Sequence, residues 1–351
     1  MTGQDGRMEY RTLGSSGCAV STFALGTMTF GAETDEAGSH AQLDTFIESG
    51  GTLVDTADVY STGTSEEYIG RWLADRPADI TDGVVLATKA RFPMGPGAND
   101  LGLSRRHLQR ALDASLRRLR VDCVDLYQVH SWDPLTPLEE TLRALDDMVR
   151  AGKVRYIGLS NFAGWQVQKA VALADAAGLA SPVTLQPQYN MLVREVEWEI
   201  VPSCLDAGLG LLPWSPLGGG WLTGKYQRDT PPVGATRLGE NPERGVEAYD
   251  RRSAQDRTWA VVDAVDQVAT ARGIDKAQVA LAWLADRPAV TSVILGARTI
   301  SQLQANLDAA GLHLTQAETD LLDAASDPEP ADYPYGVPGN EQRSRLLTGG
   351  R

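Results

Sequence analysis

The chain has 351 residues, 42% of them hydrophobic, a formal net charge of −14 at pH 7 and a sequence pI of about 4.8. So acidic a chain is a poor partner for nucleic acid or for an anionic membrane surface, and we expect it to bind neither. No run approaches the roughly 18 apolar residues of a membrane span, and the first residues lack the apolar core of a signal peptide.

The chain then alternates between apolar segments and helical segments. Residues 8–20 predict a hairpin of two short strands around the turn at 14–17. Eight strands are predicted after it, at 23–26, 52–55, 84–89, 124–130, 154–159, 182–186, 208–214 and 290–295. Helices are predicted at 36–49, 65–74, 104–120, 138–150, 165–177, 195–207, 253–272, 276–286 and 300–310. Gly/Pro-rich loops are expected at 92–102 and 215–247.

Eight strands alternating with helices predict a (β/α)8 TIM barrel in the α/β class, with the hairpin as an N-terminal appendage, extra helices before the last strand and an active site at the C-terminal rim. We expect a single domain over 1–351, with a core of about 10–326 and a tail at 327–351. An open doubly wound sheet is the competing architecture. Against it, no G-x-G-x-x-G follows the first strand.

Reactive side chains end three consecutive predicted strands. Asp55, Lys89 and His130 occupy these ends, and Tyr60 follows Asp55 closely. Parallel strands present their carboxyl ends at one rim, so these four side chains should converge. Each alone has an ordinary structural role, but together they suit the reversible reduction of a carbonyl. A nearby ammonium should lower the pKa of Tyr60 from its usual value of about 10, and Asp55 can hold that ammonium.

The four residues stand within motifs that resemble the aldo-keto reductase family from about Tyr10 to Ser326. The motifs are LGTMTFG at 25–31, VDTADVY at 54–60, ATK at 87–89, DLYQVH at 125–130, GKVRYIGLSN at 152–161, QPQYN at 186–190, WSPLGGGWLTGK at 214–225 and GARTISQLQAN at 296–306. The branch resembles bacterial general-stress reductases and potassium-channel β-subunits. The resemblance implies that Tyr60 is the proton donor, tuned by Lys89 and Asp55, and that His130 orients the substrate carbonyl. Histidine at this position argues against the steroid double-bond reductases, which have glutamate there.

The resemblance also implies a nicotinamide dinucleotide, NADPH by preference, with NADH possible. By this resemblance, Ser160, Asn161 and Gln186 hold the carboxamide of the dinucleotide, and Trp214 stacks on its nicotinamide ring. Arg298 binds the 2′-phosphate. The remaining expected contacts are Thr27, Met28, Asp55, Ser215, Pro216, Leu217, Gly218, Gly220, Lys225, Gly296, Gln302 and Asn306. Gln302 stands where some branches have arginine and Ala305 where many have glutamate, so the choice between NADP and NAD stays open.

The substrate is expected to be a small carbonyl compound bound by rim loops, with Trp132 as the best single contact beside His130. Further aromatic or apolar residues on these loops are Met28, Phe30, Trp221, Tyr333 and Tyr335.

The three cysteines, Cys18, Cys123 and Cys204, have neither metal nor disulfide spacing, which fits a reducing compartment and a cytoplasmic protein.

Three other functions are weighed. The segment 219–225 nearly matches a phosphate-binding loop, but Tyr226 replaces the Ser or Thr that would bind magnesium. The four histidines, His40, His107, His130 and His313, show no paired ligand spacing, so no metal site is expected. The remaining alternative is a redox-sensing or regulatory subunit that binds NADPH with little turnover.

Overall fold

The fold is that of a computed structural model, which describes residues 7–234, 237–240, 243, 247–329 and 333–335. Most of the predicted tail at 327–351 lies outside the described residues. In the described part of the chain, no helix has both the length and the apolar character that crossing a membrane requires.

A two-stranded antiparallel hairpin precedes a sheet of eight strands. The strands are β1 Tyr10–Thr12, β2 Ala19–Ser21, β3 Phe23–Gly26, β4 Leu53–Asp55, β5 Val85–Ala90, β6 Val124–Val129, β7 Val154–Ser160, β8 Thr184–Gln186, β9 Gly210–Leu211 and β10 Val293–Leu295. The helices are α1 Glu36–Glu48, α2 Thr64–Asp75, α3 Ala78–Thr81, α4 Arg105–Leu119, α5 Leu138–Arg150, α6 Gly164–Ala177, α7 Val196–Ala207, α8 Arg237–Glu240, α9 Tyr249–Ser253, α10 Asp256–Arg272, α11 Lys276–Ala285, α12 Ile300–Leu307 and α13 Gln316–Ser326.

The eight strands β3 to β10 are all parallel and form a (β/α)8 barrel, as predicted. Each strand pairs with the next in the chain from β3 to β9, and β10 pairs with β3. The last seam, between β9 and β10, is closed by single backbone bonds: Leu211 N donates to the Ala289 carbonyl at 2.7 Å, and Ile294 N donates to the Pro213 carbonyl at 2.9 Å. The carboxyl ends of the strands therefore form one continuous rim.

Successive side chains of each strand point to opposite faces of the sheet, and this alternation produces two apolar layers. In β3, Ala24 points into the barrel, whereas its neighbours Phe23 and Leu25 belong to the layer beneath the helices. The inner layer consists of small and branched residues from several strands and from the hairpin: Leu13, Val20, Ala24, Leu53, Ala87, Leu126, Leu212 and Ile294. Since the barrel interior is filled, the space for chemistry lies at the rim.

The hairpin β1–β2 closes the amino-terminal end of the barrel. Leu13, in its turn, is completely buried in the inner layer. Gly14 has a φ of 57°, and a Cβ there would stand 2.0 Å from the Val183 carbonyl oxygen, so only glycine fits this close approach. The opposite end, at the carboxyl rim, is left for the loops that carry reactive side chains.

Several predicted boundaries differ from the observed ones. The seventh and eighth strands are shorter, and the predicted helix at 253–272 begins only at Asp256, because Gln255 before it has an extended backbone, with ψ of 117°. The predicted loop at 215–247 contains a 3₁₀ turn, Gly218–Thr223, and the short helix α8. The sequence reading missed α3 and α13 altogether.

Candidate active site

The three predicted strand ends meet at the carboxyl rim. Asp55 is the last residue of β4, Lys89 lies one residue before the end of β5, and His130 directly follows β6. The backbone hydrogen bonds between β5 and β6 continue past the end of β6, where His130 N donates to the Ala90 carbonyl at 3.1 Å. Tyr60 begins a 3₁₀ turn, Tyr60–Gly63, shortly after β4.

Lys89 and Asp55 form a buried ion pair. Lys89 Nζ donates to Asp55 Oδ2 at 2.6 Å and to the Thr56 carbonyl oxygen at 2.8 Å. It also lies 3.4 Å from Tyr60 Oη. Burial disfavours the ammonium, but Asp55 and Tyr60 outweigh it, so that the pKa of Lys89 is raised. Lys89 is therefore a cation at neutral pH, fixed within reach of the phenol.

Tyr60 departs from one expectation. Lys89 does act to lower its pKa, as predicted. Burial is the larger effect, however, and it raises the pKa of Tyr60 above the ordinary value, with Asp55 adding to the increase. The expected net lowering of the Tyr60 pKa is wrong, because the free energy lost when a phenolate is removed from water exceeds the free energy gained from its attraction to Lys89. The phenol is thus protonated at neutral pH.

His130 is a buried neutral imidazole. Its ring packs edge-on against Tyr60 at 5.9 Å and Phe92 at 4.7 Å between centroids. Burial first, and then the charges of Lys89 and Arg91, lower the pKa of His130 to about 2. Its Nδ1 is buried and makes no hydrogen bond within the described residues. A neutral imidazole carries one N–H, which is available as a hydrogen-bond donor.

Sequence reasoning missed the residue that completes the surroundings of Asp55. Gln128 Nε2 donates to Asp55 Oδ1 at 3.1 Å, and the amide of Gln186 donates to the same oxygen at 2.9 Å. Both carboxylate oxygens are therefore held, which fixes the carboxylate toward Lys89. The available signal was a polar residue at an inward position of β6, two residues before His130.

A second buried acidic group lies behind the rim and was also missed. Glu66 Oε1 accepts from Thr88 Oγ1 at 2.6 Å, and Glu66 Oε2 accepts from Arg118 Nε at 2.7 Å. Asp58 is completely buried, and neither carboxylate oxygen has a hydrogen bond within the described part of the chain. Burial and the charge of Glu66 raise the pKa of Asp58 to about 7.

The residues expected at the nicotinamide form one hydrogen-bonded group next to His130. Asn161 Nδ2 donates to the His130 carbonyl at 2.9 Å, and Asn161 Oδ1 accepts from Trp214 Nε1 at 3.1 Å. Ser160 Oγ donates to the Gln186 carbonyl at 2.9 Å. Asn161 has a left-handed backbone, with φ of 55°, a strained conformation that is often found at functional sites. The structure thus brings together Ser160, Asn161, Gln186 and Trp214.

The glycine-rich turn after β9 continues this rim. Gly218, Gly219 and Gly220 have φ values of 57°, 67° and 99°, which L side chains rarely adopt. Ser215 Oγ donates to the buried Glu247, and Tyr226 Oη donates to the Gly219 carbonyl at 2.9 Å. All three glycines are buried, and a Cβ would stand 2.3 Å from Glu247 Oε2 at Gly219 and 2.2 Å from Lys225 Cε at Gly220, so only glycine fits this close packing. The other expected contacts here are Pro216, Leu217 and Lys225, on the same turn.

The last group of expected cofactor residues lies after β10 and β3. Arg298 N donates to Gln302 Oε1 at 2.9 Å, and Asn306 is buried on the inner side of α12. Gly296 is exposed, and a Cβ there would meet nothing within 4 Å. Thr27 is buried and bonded to the Asp55 carbonyl, whereas Met28 is 37% exposed.

Aromatic side chains cluster around Trp132, two residues after His130. Trp132 packs edge-on against Phe162 at 5.3 Å and Trp165 at 5.5 Å, and Trp165 is 58% exposed. Sequence reasoning chose Trp132 but missed Trp165. Phe30 and Trp221 are fully buried, so they are packing residues. Tyr335 stacks on Trp198 of α7, and Tyr333 is exposed.

Comparisons with known proteins point to one protein family. The sequence profile described as the aldo/keto reductase family matches residues 22–327. The chain is 37% identical to the oxidoreductase YrpG of Bacillus subtilis, over 88% of this chain and 92% of that protein. It is 39% identical to a probable voltage-gated potassium channel subunit beta of Arabidopsis thaliana, over 86% and 91%. It is 34% identical to versiconal hemiacetal acetate reductase of Aspergillus parasiticus, over 90% and 96%.

Proposed function

The chain belongs to the aldo/keto reductase family of oxidoreductases, and from this premise we propose that it reversibly reduces an aldehyde or ketone to an alcohol with NADPH or NADH. The observation that carries the proposal is the buried Asp55–Lys89 ion pair within hydrogen-bonding distance of the Tyr60 phenol. Such a group supplies a proton together with a cation that stabilises the resulting phenolate.

Tyr60 acts as the proton donor in this proposal. Its pKa is raised, so the phenol is protonated at neutral pH and ready to donate to a developing alkoxide. Loss of the proton leaves a phenolate 3.4 Å from Lys89 Nζ, where the two opposite charges attract. Asp55 keeps the ammonium charged and oriented, and Gln128 and Gln186 keep Asp55 in place.

His130 positions the substrate carbonyl in the proposed reaction. Because its pKa is about 2, it is neutral throughout the physiological range and cannot act as a cationic acid. A neutral imidazole instead donates one hydrogen bond to the carbonyl oxygen, which polarises the carbonyl. Phe92 and Tyr60 hold the ring on two sides.

The rim fits a nicotinamide dinucleotide. Asn161 links the His130 carbonyl to the Trp214 indole, which supports Asn161 as the carboxamide contact and Trp214 as the ring that stacks on the nicotinamide. The left-handed glycines Gly218 to Gly220 let this turn pack closely on Lys225, whose ammonium supplies a positive charge that suits a pyrophosphate. When bound, the dinucleotide supplies the hydride; the preference between NADPH and NADH depends on the surroundings of Arg298.

We further propose an apolar or aromatic carbonyl as substrate. Phe92 packs edge-on against His130, and Trp132, two residues after His130, packs edge-on against the largely exposed Trp165. Aromatic surfaces of this kind favour ligands that stack. The three cysteines are free thiols, which supports a cytoplasmic location.

The test is a comparison of wild type with Tyr60→Phe on a panel of aldehydes, ketones and quinones, following consumption of NADPH. We expect kcat to fall by about a hundredfold or more, the contribution typical of acid catalysis, while quenching of tryptophan fluorescence by NADPH is retained. Tyr68→Phe, on the outer helix α2, is the matched control and should be active. Activity that survives in Tyr60→Phe would exclude this phenol as the donor.

A regulatory subunit is the second candidate, because the chain is 39% identical to a probable potassium channel subunit beta. In that case wild type would bind NADPH but consume it negligibly with every carbonyl of the panel. If wild type binds neither dinucleotide, both candidates fail.

A further inference from the structure

Arg298 lies between two glutamates. Its Nη2 is 2.8 Å from Glu240 Oε2 and 3.5 Å from Glu33 Oε1. The Arg298 side chain is only 23% exposed, so these pairs are partly shielded from water. The guanidinium that the family resemblance assigns to a 2′-phosphate is therefore already engaged by two carboxylates.

The two glutamates are held differently. Glu33 belongs to the loop between β3 and α1, whose Thr34 Oγ1 donates to the Arg298 carbonyl at 3.5 Å and to Thr29 Oγ1 at 3.2 Å. Thr29 Oγ1 in turn donates to the Ala297 carbonyl at 3.1 Å. This loop and the segment after β10 are thus tied together. Glu240 comes from the short helix α8, in the long connection between β9 and β10.

The charges of this group oppose a phosphate. One guanidinium and two carboxylates sum to one negative charge before any ligand arrives. A 2′-phosphate would bring further negative charge, and it would have to take the place of Glu240 on Arg298. A 2′-hydroxyl carries no charge, and it can donate a hydrogen bond to a carboxylate.

Resting on the proposed function, we propose that Glu33 and Glu240 set the cofactor preference of the enzyme by competing with the 2′-phosphate of NADPH for Arg298. Glu240 is the group that the phosphate displaces, and Glu33 remains beside the guanidinium as a fixed opposing charge. Arg298 alone favours NADPH, and the two glutamates shift the balance toward NADH.

The experiment measures the dissociation constants of NADPH and NADH by tryptophan fluorescence for wild type, Glu240→Gln, Glu33→Gln and the double variant. Glutamine keeps the shape and removes the charge. We expect the affinity for NADPH to rise about two- to fivefold in each single variant, the range of a partly exposed ion pair, and about tenfold or more in the double variant. The affinity for NADH should stay constant or fall.

Glu48→Gln is the matched control, since Glu48 is exposed at the end of α1 and makes no ion pair within the described residues. It changes the net charge equally and should leave the ratio of the two dissociation constants unchanged. In Arg298→Met, the two glutamine substitutions should lose their effect. An unchanged ratio in the double variant, or an equal change in Glu48→Gln, would overturn the inference while leaving the proposed function intact. Wild type that binds neither dinucleotide would overturn both.

Discussion

At the scale of single residues, burial and neighbouring charge oppose one another at some ionisable groups of the rim and act together at others. Lys89 is fully buried yet has a raised pKa, because two partners favour its charge. At Tyr60 burial outweighs the charge of Lys89, whereas at His130 burial and the charge of Lys89 both lower the pKa, so that both groups are neutral. At Asp58 burial and the charge of Glu66 also act together, and both raise the pKa of this carboxyl.

Asp58 should make the stability depend on pH. Its pKa rises from 3.8 in the unfolded chain to about 7 in the folded chain, so between these values the folded state binds more protons. The free energy of unfolding should therefore fall as pH rises through this window and level off above pH 7. Asp58→Asn cannot titrate, and its stability relative to wild type should increase over the same window.

Urea unfolding of wild type and Asp58→Asn at several pH values between 5 and 8.5 measures this difference. Asp82→Asn, at an exposed position after α3, serves as control and should show no such trend. A difference between Asp58→Asn and wild type that is constant with pH would contradict a titrating, buried Asp58.

At the scale of elements, hydrophobic period and capping residues account for most helices, and tertiary contacts account for the rest. Helix α5 spans 138–150 as predicted, with buried residues at helical spacing. Helix α13 was missed although Thr315 and Glu318 form a capping box at its start. Glu318 also pairs with Arg272 of α10, which lowers the pKa of this carboxyl to about 2. The cap and this pair together fix α13 against α10.

Thr315→Ala should lower the free energy of unfolding by about 1 kcal/mol, because the first turn of α13 loses the hydroxyl that accepts from Glu318 N. Thr315→Ser, which keeps the hydroxyl, should retain nearly all of the stability. Urea unfolding at neutral pH measures both. Equal losses in the two variants would show that the methyl group of Thr315, and not its capping hydroxyl, matters.

At the scale of the whole molecule, the hairpin and the seam between β9 and β10 complete the barrel. Short strands meet at this seam, and Arg11 of the hairpin supports it by donating to the Val290 carbonyl at 2.9 Å. Leu13 seals the inner layer from below. Closure at the amino-terminal end leaves the carboxyl rim for the site, so that stability and chemistry lie at opposite ends.

Leu13→Ala should lower the free energy of unfolding by about 2–5 kcal/mol, because it opens a cavity in a filled interior. Leu135→Ala, at a position that is 92% exposed, should change it by less than about 0.5 kcal/mol. Denaturant unfolding of the two variants beside wild type measures this. If the two substitutions cost the same, the hairpin does not seal the barrel.

The sequence by itself determined the barrel and the four residues of its rim. Strand–helix alternation dictates a parallel sheet, and Asp55, Lys89 and His130 at successive strand ends must then lie on one side, because parallel strands point the same way. The glycines at 218–220 were likewise readable, since a run of three glycines after a strand indicates backbone that other residues cannot adopt.

Only the tertiary structure decided which groups compete for each reactive atom. Gln128 lies far in sequence from Asp55, and Glu33 and Glu240 lie far from Arg298, so no local pattern joins them. The direction of the Tyr60 pKa depended on burial, which is a property of the folded surroundings and not of the motif. The strand–helix pattern of the sequence therefore determines which residues reach the rim. The tertiary packing determines how far these residues are buried and which charges lie beside them.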